Sequence, residues 1–170
     1  MKKHKVLIIP ILLFASQIYS QSSDSIHVIN KGLELAGPRL GLTVLTGSLA
    51  EDVKEELNVG SVITQFGWQY ELVVFTLEGG YSLLSENVLL IGGAEQGVLL
   101  PSISWLFGLR GSSGYEFGLG PNLSLGGVGY VFAFGWAMQG KDINIPFNIA
   151  LATGKGGVRI SFLVGVTISK

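Results

Sequence analysis

From Gly60 to the C-terminus, apolar residues recur at every second position, and glycine-rich stretches interrupt the runs. In "ITQFGWQYELV" Phe66, Trp68, Tyr70 and Leu72 share one face, opposite Gln65, Gly67, Gln69 and Glu71. The same alternation runs through "VLLPSISWLFGLR", "YEFGLGPNLSL", "VGYVFAFGWAMQ", "INIPFNIALA" and "GVRISFLVGVTIS", and, upstream of Gly60, through "GPRLGLTVLTG". A period of two is the signature of β-strands with two unlike faces. One segment breaks it. In "SLAEDVKEELNVG" Leu49, Val53 and Leu57 recur every four residues, Ser48 reads as an N-cap with Glu51 three later, and Gly60 follows the end, which predicts a helix. "TLEGGYSLLSENVLLI" has ambiguous phase, with a kink expected at Gly79 and Gly80. Counting this segment as a strand gives an all-β chain: an eight-stranded antiparallel up-and-down barrel with one short helix between strands 1 and 2.

The composition of the two faces says which side is inside. One face carries the large apolar and aromatic residues; the other carries Gly, Ala, Ser, Asn, Gln and a few charges. A soluble barrel or sandwich fills its interior with bulk and covers its exterior with long charged side chains. Only 14% of residues are charged here and 25 are glycine. Lys31, Lys54, Lys141, Lys155 and Lys170 fall in lead-in, helix, turns or terminus. Arg39, Arg110 and Arg159 fall on the small-residue face, as do Glu71 and Glu116, and Glu78 and Glu86 if their strand keeps phase. An arginine facing lipid at mid-bilayer costs roughly 2–4 kcal/mol. The small face therefore turns inward, and these seven residues are the expected polar network of the barrel interior. Inward glycines at positions 67, 108, 118, 120, 129, 135 and 165 are expected to leave volume for water or a small ligand, or to let the barrel flatten.

The first residues, "MKKHKVLIIPILLFASQIYSQ", combine Lys2, Lys3 and Lys5 with an apolar run and a small-residue end, the layout of a secretory signal peptide over residues 1–20. A flexible lead-in over 21–36, within which "SIHVI" could pair as a short strand, and a barrel domain over 37–170 complete the expected organisation. Removing the signal leaves eight basic against twelve acidic residues, about −4, with no basic cluster for nucleic acid. The chain has no cysteine, which excludes disulfides and a lipidated terminus. Its two histidines are His4, in the signal, and His27, in the lead-in. No Ser-His-Asp set or His/Cys metal site can be assembled on the strands, so no enzyme activity and no cofactor are expected. The inward glutamates read better as partners of the arginines than as a glycosidase-type acid–base pair, since each has a cation within prospect and no recognition loop surrounds them. "GKGG" at 154–157 lacks the Ser/Thr and helix of a phosphate loop and reads as a hairpin turn.

With aromatics Trp68, Tyr70, Tyr115, Tyr130 and Trp136 placed outward as interfacial girdles, the chain from Gly37 to Lys170 resembles the small OmpA-like and OmpX-like outer-membrane barrels of Gram-negative bacteria. "TQFGWQYE", "GGAEQGVLLPS" and "GPNLSLGGVG" are also similar to a group of secreted barrel-like proteins, which implies no particular chemistry. The resemblance implies a location in the cell outer membrane, with outer-membrane lipid and the outer-membrane assembly machinery as partners and a structural or narrow-pore role. The chain departs from that pattern at its end, "VTISK", where such barrels usually finish on an aromatic residue. The alternative reading is a soluble or peripheral, periplasmic or secreted, lipocalin-like barrel that holds a small apolar ligand. It requires the large apolar residues to face inward and the arginines outward.

Overall fold

The computed structural model describes residues 28–30, 32–140 and 143–169. The expected signal peptide and half of the lead-in, residues 21–27 and 31, lie outside the described residues. The elements are β1 (Val28–Asn30), β2 (Leu33–Leu45), α1 (Ser48–Leu57), β3 (Val62–Leu77), β4 (Ser82–Gly92), a 3₁₀ turn (Ala94–Gln96), β5 (Leu100–Arg110), β6 (Tyr115–Ser124), β7 (Gly127–Gln139), β8 (Ile143–Gly154), β9 (Gly157–Gly165) and β10 (Thr167–Ser169). β9 and β10 continue one line across Val166, whose N–H donates to Pro38 O at 3.2 Å. Eight long strands result. Consecutive strands from β2 to β9 pair antiparallel, and β2 also pairs with β9 and β10, which closes the barrel.

The register fixes the barrel's shape. From Phe132, one row of paired residues runs through Leu119, Phe107, Ser85 and Leu72 to Glu34; the opposite row runs through Leu151 and Ile160 to Val44. The two rows meet β2 ten residues apart, so the shear is ten for eight strands. With strands about 4.8 Å apart and a rise of about 3.3 Å per residue, that shear tilts the strands by about 40°. The 11 residues of β5 then rise about 28 Å along the barrel axis.

Burial alternates strictly along β5 and along most of β6. Ile103, Trp105, Phe107 and Leu109 face out, and Ser102, Ser104, Leu106 and Arg110 face in. The outward aromatics pack on one another, as in the stacked pairs Tyr115–Phe134 and Trp136–Phe147. All five residues expected in girdles are outward and exposed. Trp68 and Tyr70, however, sit near the middle of β3, away from the ends where a girdle would lie, as does Trp105 on β5. Trp105 satisfies its indole N–H there by donating to Ser85 Oγ at 3.0 Å.

Two local expectations are corrected, and one rim feature is new. The strand that was to begin at Gly37 begins at Leu33, and Val28–Asn30 pairs with β3, so the end of the expected lead-in belongs to the sheet. Near that rim the polarity inverts: Glu34 is exposed, while Leu35 turns inward against Val73 and Leu84 and closes the barrel end with apolar bulk. The second correction is the cap: α1 is capped by Gly47 (φ 67°) instead of Ser48, and it ends on Asn58 in the left-handed region (φ 53°), with Gly60 past the end as expected. Ser48 occupies the first helical position and donates its hydroxyl to Gly156 O. The helix buries Leu49 and Val53 against Leu45, Val59, Ile63 and Leu100, plugging the barrel end opposite the rim at Leu35.

Candidate functional site

Pairing places β3, β4, β5 and β6 side by side, and their inward carboxylates converge towards the end opposite α1. At the centre is Arg110. Its Nη1 and Nη2 donate to the two oxygens of Glu71 at 2.6 and 2.7 Å, and its Nε donates to Glu116 Oε2 at 2.7 Å. The guanidinium thus holds one carboxylate in a fork and a second at its edge, geometry that a lysine lacks. All three side chains are buried. The third carboxylate, Glu86, accepts from Gln69 Nε2 at 2.7 Å, and Gln69 Oε1 accepts from Arg39 Nε at 2.9 Å. The Gln69 amide therefore relays between Arg39 and Glu86. Arg39, 2% exposed, also donates to Pro38 O, and its Nη2 is buried with no partner among the described residues.

Towards α1 the charges thin out. Thr43 Oγ1 donates to Gln65 Oε1 at 2.6 Å and shares a hydrogen with Ser161 Oγ at 2.7 Å. Asn122 Nδ2 donates to Ser102 Oγ and Ser104 Oγ at 2.8 and 2.9 Å, and Asn122 Oδ1 accepts from Arg159 Nη2. An apolar cluster of Val88, Leu90, Leu106, Val131 and Ala152 shares the same lumen. Polar and apolar side chains together line a cavity of about 50 Å³, and a second of about 30 Å³ lies under α1; Gln65, Ser102 and Arg159 line both.

Six of the seven residues expected in the interior network are buried: Arg39, Glu71, Glu86, Arg110, Glu116 and Arg159. Two of these differ from expectation in their partners. Arg159 points inward, but its hydrogen bond among the described residues goes to the Asn122 amide instead of a carboxylate. Arg39 meets Glu86 only through Gln69. The seventh, Glu78, is exposed in the turn after β3, because the register slips between Val73 and Phe75 and the strand ends at Leu77, before the phase carries Glu78 inward. Sequence reading did not single out the connectors Thr43, Gln65, Gln69, Asn122 and Ser161. The available signal was their position on the same alternate face as the charges.

The inward glycines do not line empty space. A Cβ on Gly108 would sit 2.7 Å from Glu86 Oε1, one on Gly165 2.3 Å from Arg39 Nη1, and one on Gly135 2.3 Å from Asn148 Nδ2. The long polar side chains lie in the room the glycines leave. At Gly67, Gly120 and Gly129 the same position would meet a neighbouring strand's carbonyl oxygen within 2 Å, so there glycine permits close backbone approach.

No protein-family model matches the chain, and no curated protein matches it in sequence. Among solved structures the chain is similar to Neisserial surface protein A, with 11% identity and a TM-score of 0.49, over 81% of this chain and 97% of that one.

Proposed function

We propose that the protein is a non-enzymatic outer-membrane β-barrel whose ion-paired lumen gives it a structural or narrow-path role. The observation that carries this reading is the inverted distribution of side chains: bulky apolar residues outward on every long strand but β4, whose faces are mixed, and arginines and glutamates inward. A monomeric soluble protein exposes contiguous apolar patches of at most about 300–600 Å². Eight tilted strands surrounded by an apolar band about 25 Å tall present roughly 1,300 Å² even at backbone level. Water is a poor solvent for such a belt, and hydrocarbon suits it. Closure of the sheet fits the same solvent, because no backbone edge is left to be satisfied within it.

The lipocalin-like alternative needs the opposite orientation. Phe162 is exposed and Arg159 buried, the reverse of what that reading requires, and the apolar side chains in the lumen, Val88, Leu90, Leu106, Val131 and Ala152, border a cavity of only about 50 Å³. For the lumen itself, the Arg110 clamp and the small cavities support a plugged barrel. Fractionation tests the location: the mature protein should stay with the membrane pellet through a high-pH wash and leave it only in detergent, and recovery in the soluble fraction would refute the proposal. Planar-bilayer recording tests the plug, and stable large-conductance channels from purified wild-type protein would overturn it.

A further inference from the structure

Three arginines and three glutamates are buried in the barrel, but they are not evenly placed. Glu71, Glu86 and Glu116 gather with Arg110 and Arg39, whereas Arg159 stands apart, paired in register with Leu45 at the foot of α1. Its surroundings have an unusual hydrogen-bond polarity. The amide oxygens of Asn122 and Gln65 each already accept one hydrogen bond, from Arg159 Nη2 and from the Thr43 hydroxyl. Ser102 Oγ already accepts from Asn122, which leaves its hydroxyl hydrogen free to donate. Ser124 Oγ is buried and has no partner among the described residues. Gln65, Ser102, Ser124 and Arg159 all line the 30 Å³ cavity, whose remaining walls are apolar or glycine and include no carboxylate. The cavity therefore gathers the hydroxyl donors of Ser102 and Ser124 beside a guanidinium with no carboxylate among the lining residues.

We infer that this cavity is a binding site for one small monovalent anion of the halide class, held by Arg159, Ser102, Ser124 and the Gln65 amide and flanked by Leu49 and Val53 of α1. Size argues for the class. A water needs about 10–15 Å³ of such volume, so the cavity has room for about two water-sized particles, enough for a halide and too little for phosphate or a carboxylate metabolite. Electrostatics argues for the charge. A buried arginine without a counter-ion is costly, and an anion in contact with it offsets that cost while satisfying the idle Ser124 hydroxyl. The ion would be structural, locking β9 to β5 and β6 under the helix. The acidic side chains of α1, Glu51, Asp52, Glu55 and Glu56, are exposed and do not compete for the site.

The test uses the refolded full chain in detergent. Crystals grown in bromide should show an anomalous peak beneath α1 within hydrogen-bond reach of Arg159. The thermal midpoint should rise saturably when chloride or bromide replaces gluconate at fixed ionic strength. Arg159→Gln should abolish that rise. Ser124→Ala should weaken the apparent halide affinity roughly two- to tenfold, the worth of one hydrogen bond. No bromide peak at the cavity, or an Arg159→Gln variant with the wild-type halide response, would overturn the assignment. If Arg159→Gln does not fold, Ser124→Ala decides alone, and an unchanged halide affinity in it defeats the site.

Discussion

Replacing Arg110 by methionine keeps most of the side chain's length and removes its charge. The clamp it forms is buried and short: both Glu71 oxygens and one Glu116 oxygen lie 2.6–2.7 Å from its nitrogens. The substitution would leave the lumen with two buried cations for three buried carboxylates, two of which would have lost their main donor. Breaking a buried ion pair by removing one partner costs about 3–5 kcal/mol, and since Arg110 serves two partners the expected loss is near 5 kcal/mol. Glu71→Gln and Glu116→Gln added to Arg110→Met should recover most of it, because a fully neutral replacement of such a network is often close to isoenergetic. Urea-induced unfolding in detergent or lipid vesicles, followed by the emission of the three tryptophans, measures both. A loss under about 1 kcal/mol in the single variant, or a triple variant as unstable as the single, would refute the claim that this cluster is a dry, mutually dependent charge network.

Three further outcomes follow from the same geometry. In the naturally cysteine-free chain, Phe162→Cys should react with membrane-restricted thiol probes and Ser161→Cys should not; the reverse pattern would sink the assignment of inside and outside. Gly165→Ala would place a Cβ 2.4 Å from Pro38 O and against Arg39, which should cost about 1–3 kcal/mol, whereas Gly118→Ala meets nothing closer than 3.7 Å and should change stability by less than about 0.5 kcal/mol; equal effects would show the lumen to be looser than described. At the barrel end near α1, the Thr64 hydroxyl and N–H donate to the Glu95 carboxylate and hold its pKa down to about 2. Because the folded value is depressed, whatever this contact contributes is present above the ordinary carboxylate range and is lost as pH falls towards 2. An NMR titration should place the midpoint there and show it rising in Thr64→Val, and a midpoint in the ordinary range for the wild type would refute the contact.

The alternation of faces was legible in the sequence, as was the direction each face takes, because three arginines on one face admit a single orientation in a barrel with a greasy exterior. The rims were harder to read. At Leu33–Ala36 the pattern inverts, since there the barrel end is closed by Leu35 while Glu34 reaches the exterior, and a rule written for the middle of the strand misreads both. Glu78 was misplaced for a related reason: the slip between Val73 and Phe75 depends on the pairing partner, which a single strand's pattern does not encode. Individual ion pairs were beyond reach as well. Arg110 and Glu71 are 39 positions apart, and they meet only because a shear of ten brings those particular turns of the barrel level. The same stagger carries Arg159 away from every carboxylate and delivers it to Asn122.

The seam between β2 and β9 joins the first long strand to the last, as in the hydrogen bond between the Thr43 and Ser161 hydroxyls across 118 positions of sequence. Each of the other joints between long strands is a local hairpin or, between β2 and β3, a short helical link. Translation order and closure order are therefore opposed: β2 is made first among the long strands and is the last to gain its second neighbour. Until β9 arrives, the growing sheet has two open edges, and in hydrocarbon each unsatisfied backbone group on them costs several kcal/mol. Spontaneous strand-by-strand entry into a bilayer is thereby disfavoured. In the membrane setting proposed above, the β2–β9 seam is thus the last joint to form, and its closure is slowed by the long-range contact it needs.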